Sequence, residues 1–197
     1  MSREDDFDFN VLGVAGSPRA NSYSTKALKI ALENAQKRGA QVRLLELAKA
    51  DVPFYSPSKA MPERIAREVE WANAFILASP DYHGSMSGTL KNFLDFFYEE
   101  LAGKLFGYVV ASHEKGLTVM EQMRTAVRQC YGWSMPYGVS INGEQDFTGG
   151  RPGPRVEHRI GMMARDLVVY GRLIKAQFAQ DLAGRDDDTF AARYRRS

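Results

Sequence analysis

The chain has 197 residues, 44% apolar, 25% charged and 11% aromatic, a globular composition that argues against a wholly disordered or collagen-like chain. Its 26 basic and 24 acidic residues leave a net charge of +2, which gives no case for nucleic acid, whose partners concentrate basic residues on one face. The single cysteine, Cys130, excludes an internal disulfide and a multi-cysteine zinc site, and it fits a reducing, cytoplasmic setting.

The length predicts one domain, residues 1–197, that buries roughly 70% of its unfolded surface. Residues 1–6 are acidic and lack the apolar core of a secretory signal. The longest apolar runs, 75–78 and 108–111, fall far short of the ~20 residues a membrane span needs.

Residues 9–15, with Val11, Leu12 and Val14, predict a buried strand stopped by Gly16-Ser17-Pro18. Residues 24–38 predict a helix, because Leu28, Ala31, Leu32 and Ala35 share one face and Gly39 closes it. A second strand follows at 41–46, then a loop at 48–61. Pro62 suits a first helical position, and Ile65, Val69 and Ala72 carry the short helix behind it. Residues 74–78 are apolar throughout, as in a strand buried on both faces. A long loop at 79–89 leads to a helix at 90–101, striped by Leu90, Phe93, Leu94, Phe97 and Leu101. A fourth strand at 105–112, a helix at 118–131 and a fifth strand at 137–141 complete the alternation. Residues 142–154, rich in Gly and Pro, read as an irregular excursion before a last helix at 156–173. Low apolar content marks 181–197, like 1–8, as a mobile tail.

Five strands alternating with helices predict an α/β fold, a doubly wound five-stranded parallel sheet in a three-layer αβα sandwich. Such sheets bind ligands beyond the carboxyl ends of their strands, where strand order reverses. The loops after strands one, three and four are therefore the candidates.

The first loop runs Gly16-Ser17-Pro18-Arg19-Ala20-Asn21-Ser22-Tyr23-Ser24-Thr25 into a helix. It lacks the three-glycine dinucleotide fingerprint and the Gly-Lys-Ser/Thr of a Walker loop. Hydroxyls of Ser17, Ser22, Ser24 and Thr25, helix-terminal amides and Arg19 suit a single phosphate monoester. A plain helix cap at Ser22 or Ser24 explains the same residues.

The loop after strand three, Ser79 to Asn92, is too long for a simple connector. Pro80 stiffens its start, Tyr82 and His83 offer planar groups, and Gly84 permits close backbone approach to a ring. Read alone, Tyr82 is more simply an incidental surface aromatic and His83 more simply a polar surface residue than a catalyst. No second His or acidic cluster stands at metal-ligand spacing. After strand four, Ser112-His113-Glu114-Lys115-Gly116 again enters a helix, whose positive end suits an electron-rich ring edge, or else simply connects.

Gly16-Ser17-x-Arg19-x-x-Ser22-x-Ser24 and Pro80-x-Tyr82-His83-Gly84-Ser85-x-Ser87-Gly88-x-Leu90-Lys91-Asn92-x-x-Asp95 together resemble the NADPH-dependent FMN reductase family of flavodoxin-like proteins. That family also holds quinone, chromate and azo-dye reductases. The resemblance spans residues 10–141, with weaker support to 173. Three positions depart from the family pattern. His83 stands where Asn is frequent, Ser87 where Pro is frequent, and His113, Glu114 and Lys115 precede a lone Gly116 where paired glycines are frequent.

The resemblance implies an FMN cofactor, its phosphate held by Ser17, Arg19, Ser22 and Ser24. Pro80, Tyr82, His83, Gly84 and Ser85 would line the ring, Ser112, His113 and Gly116 would reach its pyrimidine edge, and Tyr23 and Asp81 are further cofactor-contact candidates. It implies hydride transfer from NADPH or NADH through flavin to a small-molecule electron acceptor, with no protein acid or base assigned. It also implies a homodimer or homotetramer, for which Phe96 and Tyr98 are candidate contacts. Two rival readings are a flavodoxin-like electron carrier, disfavoured by the +2 charge, and a phosphate- or nucleotide-binding domain without redox chemistry.

Overall fold

The computed structural model describes residues 9–195. The first half alternates β1 (Asn10–Ala15), α1 (Tyr23–Gln36), β2 (Gln41–Glu46), α2 (Glu63–Trp71), β3 (Ala74–Pro80) and α3 (Gly88–Leu94). Then come β4 (Leu105–Ala111), α4 (Leu117–Gln129), β5 (Trp133–Ser134), β6 (Val139–Ile141), α5 (Gly143–Asp146), β7 (Phe147–Thr148), β8 (Arg151–Pro152) and α6 (Pro154–Ala183).

The main sheet has the order β2-β1-β3-β4, with β5 and β6 both parallel to the outer side of β4. Strand order therefore reverses between β1 and β3, the switch point expected of a flavodoxin-like sheet. Helices α1 and α6 cover one face, and α2, α3 and α4 the other.

Residue size decides how closely each layer approaches. Ala74, Ile76 and Ala78 of β3 point to the α1/α6 side, where Ala27, Ala31 and Ala35 let α1 sit close. Phe75, Leu77, Phe106 and Tyr108 point to the other side, and the Phe75 and Phe106 rings stack at 4.7 Å between centroids. A strand buried on both faces needs no polar alternation, which is why these strands read as unbroken apolar runs.

The structure departs from several sequence expectations. The predicted helix at 90–101 ends at Leu94, and a 3-10 turn forms at Glu99–Leu101. Phe93 and Phe97 both enter the core, their ring centroids 5.1 Å apart, while Phe96 turns to Tyr55 in an edge-on contact at 5.1 Å. Phe96 is thus covered by its own chain, and Tyr98 stays exposed. Pro62 precedes α2 as its cap instead of opening it.

The predicted strand at 137–141 forms only over Val139–Ile141, and an additional short strand, Trp133–Ser134, precedes it. Trp133–Ser134 pairs with Leu105 and Phe106, Val139–Ile141 pairs with Val109 to Ala111, and Pro136, which cannot donate to a ladder, lies between them. The last helix is longer than its apolar stripe, 30 residues in all.

Its distal half receives the tail that composition marked as mobile. Phe190 lies 5.5 Å from Phe178 of α6, Ala191 is buried, and Arg195 donates to the Asp181 carbonyl at 2.9 Å. The other predicted tail, 1–8, lies outside the described residues. Among those described, no helix is long and apolar enough to cross a membrane.

Candidate active site

The carboxyl ends of β1, β3, β4 and β6 open into a cleft of about 1910 Å³. That is roughly twice the ~1,000 Å³ upper end of single-ligand pockets. Three loops build its inner part.

The first caps α1. Ser22 is the N-cap, and its Oγ accepts from the Thr25 amide at 3.2 Å. The same Oγ lies 2.9 Å from Thr25 Oγ1 and 3.2 Å from Ser24 Oγ. Ser17 is buried beside them and accepts from the Arg19 amide at 3.2 Å. The two sequence explanations of this loop are thus compatible. The hydroxyls that cap the helix also border the cleft, where the first-turn amides lack helical acceptors.

The second loop is a tight turn. Tyr82 and Ser85 exchange backbone hydrogen bonds at 3.0 and 3.1 Å, and His83 and Gly84 between them both have positive φ, 58° and 75°. Turns of this hand need two left-handed residues, which is why Asn-Gly is their usual centre. His is among the few side chains enriched there. His83 in place of the family's frequent Asn therefore preserves the turn. Ser87 in place of Pro gains a function, since its Oγ caps α3 and donates to the Gly16 carbonyl at 2.6 Å. That bond ties the second loop to the first.

The third loop joins through Asp81. Its Oδ1 accepts from the Gly84 amide at 2.8 Å, and its Oδ2 accepts from the Ser112 hydroxyl at 2.7 Å. Ser112 Oγ in turn accepts from the Glu114 amide at 3.1 Å. Gly116 caps α4 with φ 60°, and a Cβ there would stand 2.6 Å from Val110 Cγ1, so only glycine fits.

Of the residues anticipated from sequence, Ser17, Arg19, Ser22, Tyr23, Ser24, Pro80, Asp81, Tyr82, His83, Gly84, Ser112, His113 and Gly116 line this cleft. Ser85 does not. The turn aims its hydroxyl outward to Gln122 Oε1 at 2.8 Å, beside a smaller cavity with Met86 and Lys91. Arg19 lies 5.9 Å from the Tyr82 ring centroid, so charge and plane from separate loops meet.

The irregular excursion gave no sequence signal, yet it forms the far wall. Asn142 Nδ2 donates to the His113 carbonyl at 3.1 Å, and Phe147 packs on Tyr23 at 5.5 Å. Asp146 is held by Arg155 at 2.8 Å and accepts from the Asn142 amide at 2.7 Å. Arg124, Tyr137 and Arg159 extend the cleft beyond the three loops. Burial and the neighbouring Asp166 carboxylate push the Tyr137 hydroxyl far up, so it stays protonated. Among the described residues no group of three or more His, Cys, Asp or Glu is placed to hold a metal ion.

The profile of the NADPH-dependent FMN reductase family matches residues 9–146, which takes in all three loops. Relatives include an NAD(P)H-dependent FMN reductase of Pseudomonas aeruginosa, 33% identical over 45% of this chain and 50% of its own length. An FMN-dependent NADPH-azoreductase of Staphylococcus aureus is 24% identical over 68% of this chain and 77% of its own. The chain thus spans about half the length of the first of these relatives. Among solved structures, an NADH:FMN oxidoreductase in apo form superposes with a TM-score of 0.66 at 20% identity, covering 84% of this chain and 89% of that one. The flavoenzyme NAD(P)H:(acceptor) oxidoreductase FerB of Paracoccus denitrificans gives 0.66 at 19%, covering 86% and 98%. These likenesses establish the flavodoxin-like fold. With a match over most of its length and both loop motifs at their expected places, the chain belongs to the NADPH-dependent FMN reductase family.

Proposed function

We propose that this chain binds FMN in the cleft and transfers reducing equivalents from NADPH or NADH to a small-molecule acceptor. The observation that carries this reading is the convergence on one cleft of a hydroxyl-rich helix terminus, a planar turn and a second helix terminus. That donor set fits FMN: hydroxyls, amides and one guanidinium for a single phosphate, and backbone-rich walls for a flat ring.

In this reading Ser17, Ser22, Ser24 and the first-turn amides of α1 hold the phosphate, with Arg19 adding charge, and Tyr23 closes that side. Pro80, Tyr82, His83 and Gly84 shape the ring site, while Asp81 acts indirectly by fastening the turn to Ser112. The α4 terminus at Gly116, flanked by His113, favours negative charge on a ring edge placed there. Bound FMN supplies the hydride-accepting ring, and the protein supplies placement and electrostatics.

The chain works as one flavin-binding unit in the cytoplasm and assembles as a homodimer or homotetramer, as the family resemblance implies. Its acceptors belong to the range the relatives' names describe: flavin, quinone or azo dye.

FMN titration tests the cofactor, with an absorbance shift on uptake expected. Anaerobic reduction by each nicotinamide, then reoxidation by quinones, free flavin, chromate and azo dyes, tests the reaction. FMN that stays free in solution at micromolar protein overturns the proposal.

A further inference from the structure

The cleft is larger than one ligand needs, and its outer lobe is built from residues that the flavin reading leaves unused. Arg124 of α4, the segment around Tyr137 and Arg159 of α6 bound this lobe along the outer edge of β6.

Its parts are fixed. The Tyr137 hydroxyl donates to Asp166 Oδ2 at 2.5 Å, which sets the ring's orientation. The Arg159 guanidinium lies 5.1 Å from that ring's centroid and donates through Nε to the Gly138 carbonyl at 3.1 Å. Arg124 is already committed, paired with Glu121 and bonded to the Met135 carbonyl at 3.4 Å. Arg155 is likewise paired, with Asp146. Arg159 differs from both. Its terminal Nη groups make no hydrogen bond or ion pair among the described residues, and the nearby tyrosine is uncharged. A guanidinium carries five N–H donors in a rigid fork, so most of its capacity remains for an anion.

Resting on the FMN reading, we propose that this lobe is the subsite for the phosphorylated adenosine end of the pyridine dinucleotide, with Arg159 as the residue that pairs with its phosphate. Two features favour a dinucleotide over a compact acceptor. The lobe continues from the inner cleft, as a ligand reaching away from the flavin requires. It also offers a planar phenol ring beside a cation, which suits an aromatic base that carries phosphate.

Calorimetric titration of the FMN-loaded protein with NADPH, NADH and adenosine 2′,5′-bisphosphate tests this, in wild type, Arg159→Ala and Arg159→Lys. A charge-assisted hydrogen bond contributes about 1.5–3 kcal/mol, so Arg159→Ala should weaken NADPH and the bisphosphate at least tenfold. Arg159→Lys, which keeps the charge without the fork, should recover part of the loss. A loss larger for NADPH than for NADH places the contact on the 2′-phosphate, and equal losses place it on the pyrophosphate. Both outcomes uphold the subsite. FMN affinity and the melting temperature, measured on the same variants, report whether the flavin site and fold survive. Unchanged dinucleotide affinity in an intact, FMN-binding Arg159→Ala protein overturns the subsite and leaves the flavin reading standing. Loss of FMN uptake in the wild type would instead overturn the flavin reading.

Discussion

The Ser112 hydroxyl donates to Asp81 Oδ2 at 2.7 Å, while Oδ1 of the same carboxylate holds the Gly84 amide at 2.8 Å. One side chain therefore locks the turn after β3 to the loop after β4. Asp81 is a candidate cofactor contact in the sequence, but both of its carboxylate oxygens serve the scaffold.

Replacing Asp81 by Ala should consequently act on structure first. It leaves the Ser112 hydroxyl and the Gly84 amide without their acceptor, at a cost of about 1–3 kcal/mol. We expect a lower melting temperature and roughly tenfold weaker FMN binding, with Asp81→Asn recovering part of both. Calorimetric melts and flavin fluorescence titration read the two effects separately.

The phosphate recognition proposed at α1 is separable from helix capping by ligand choice. Ser22→Ala removes the cap bond to the Thr25 amide and should lower stability by about 1 kcal/mol. Arg19→Ala touches no cap. Both variants should weaken FMN but leave riboflavin, which lacks the phosphate, nearly unchanged. Equal weakening of both flavins would show that the loop acts only through the fold.

The left-handed pair His83-Gly84 predicts a graded series. His83→Asn should be neutral or slightly stabilising, because Asn tolerates positive φ best among non-glycine residues. His83→Val forces a β-branched side chain into that conformation and should cost about 1–2 kcal/mol. Thermal melts give the ranking, and FMN titration shows whether turn geometry reaches the flavin.

Lys104 gives stability an unusual pH dependence. Its Nζ donates to the Val69 carbonyl at 2.7 Å near the end of α2, and burial pushes its ammonium down to about 8, against weaker support from Glu70 and Glu100. Below pH 8 folded and unfolded chains both carry the charge, and folding buries it at a cost. Above 8 the folded chain releases a proton that the unfolded chain still holds, so this group's contribution rises with pH. Tyr108, pushed up to about 12 by burial, opposes the trend once unfolded-state tyrosine ionises, above pH ~10. Between pH 8 and 10 wild type should therefore gain about 1–2 kcal/mol relative to Lys104→Met, read from denaturant melts at each pH.

Much of the fold was legible because burial has a local signature. β2 at Gln41–Glu46 begins and ends where the sequence placed it, and β1, β3 and β4 lie within two residues of their predicted ends. The inner cleft was legible for a related reason. Loops after parallel strands must converge at the switch point, so Ser17, Tyr82 and Ser112 could be grouped without knowing their contacts. Asp81 and Ser85 show the limit. Both are candidate cofactor contacts in the sequence, but a turn of this hand fixes one as a brace and sends the other to Gln122. Residue spacing carries no trace of that choice.

The sequence by itself determined the alternation of strands and helices, the apolar strands of a sheet covered on both faces, and the loops that meet at its carboxyl edge. Those follow from periodicity and composition within a dozen residues. Only the tertiary structure decided that the aromatic run after Leu94 leaves the helix, that β5 and β6 share one edge around Pro136, and that the tail packs on Phe178. It alone brought the excursion over α1 and set Arg159 beside Tyr137. Each of these rests on contacts between residues far apart in the chain, where burial of one surface depends on which other surface arrives to cover it.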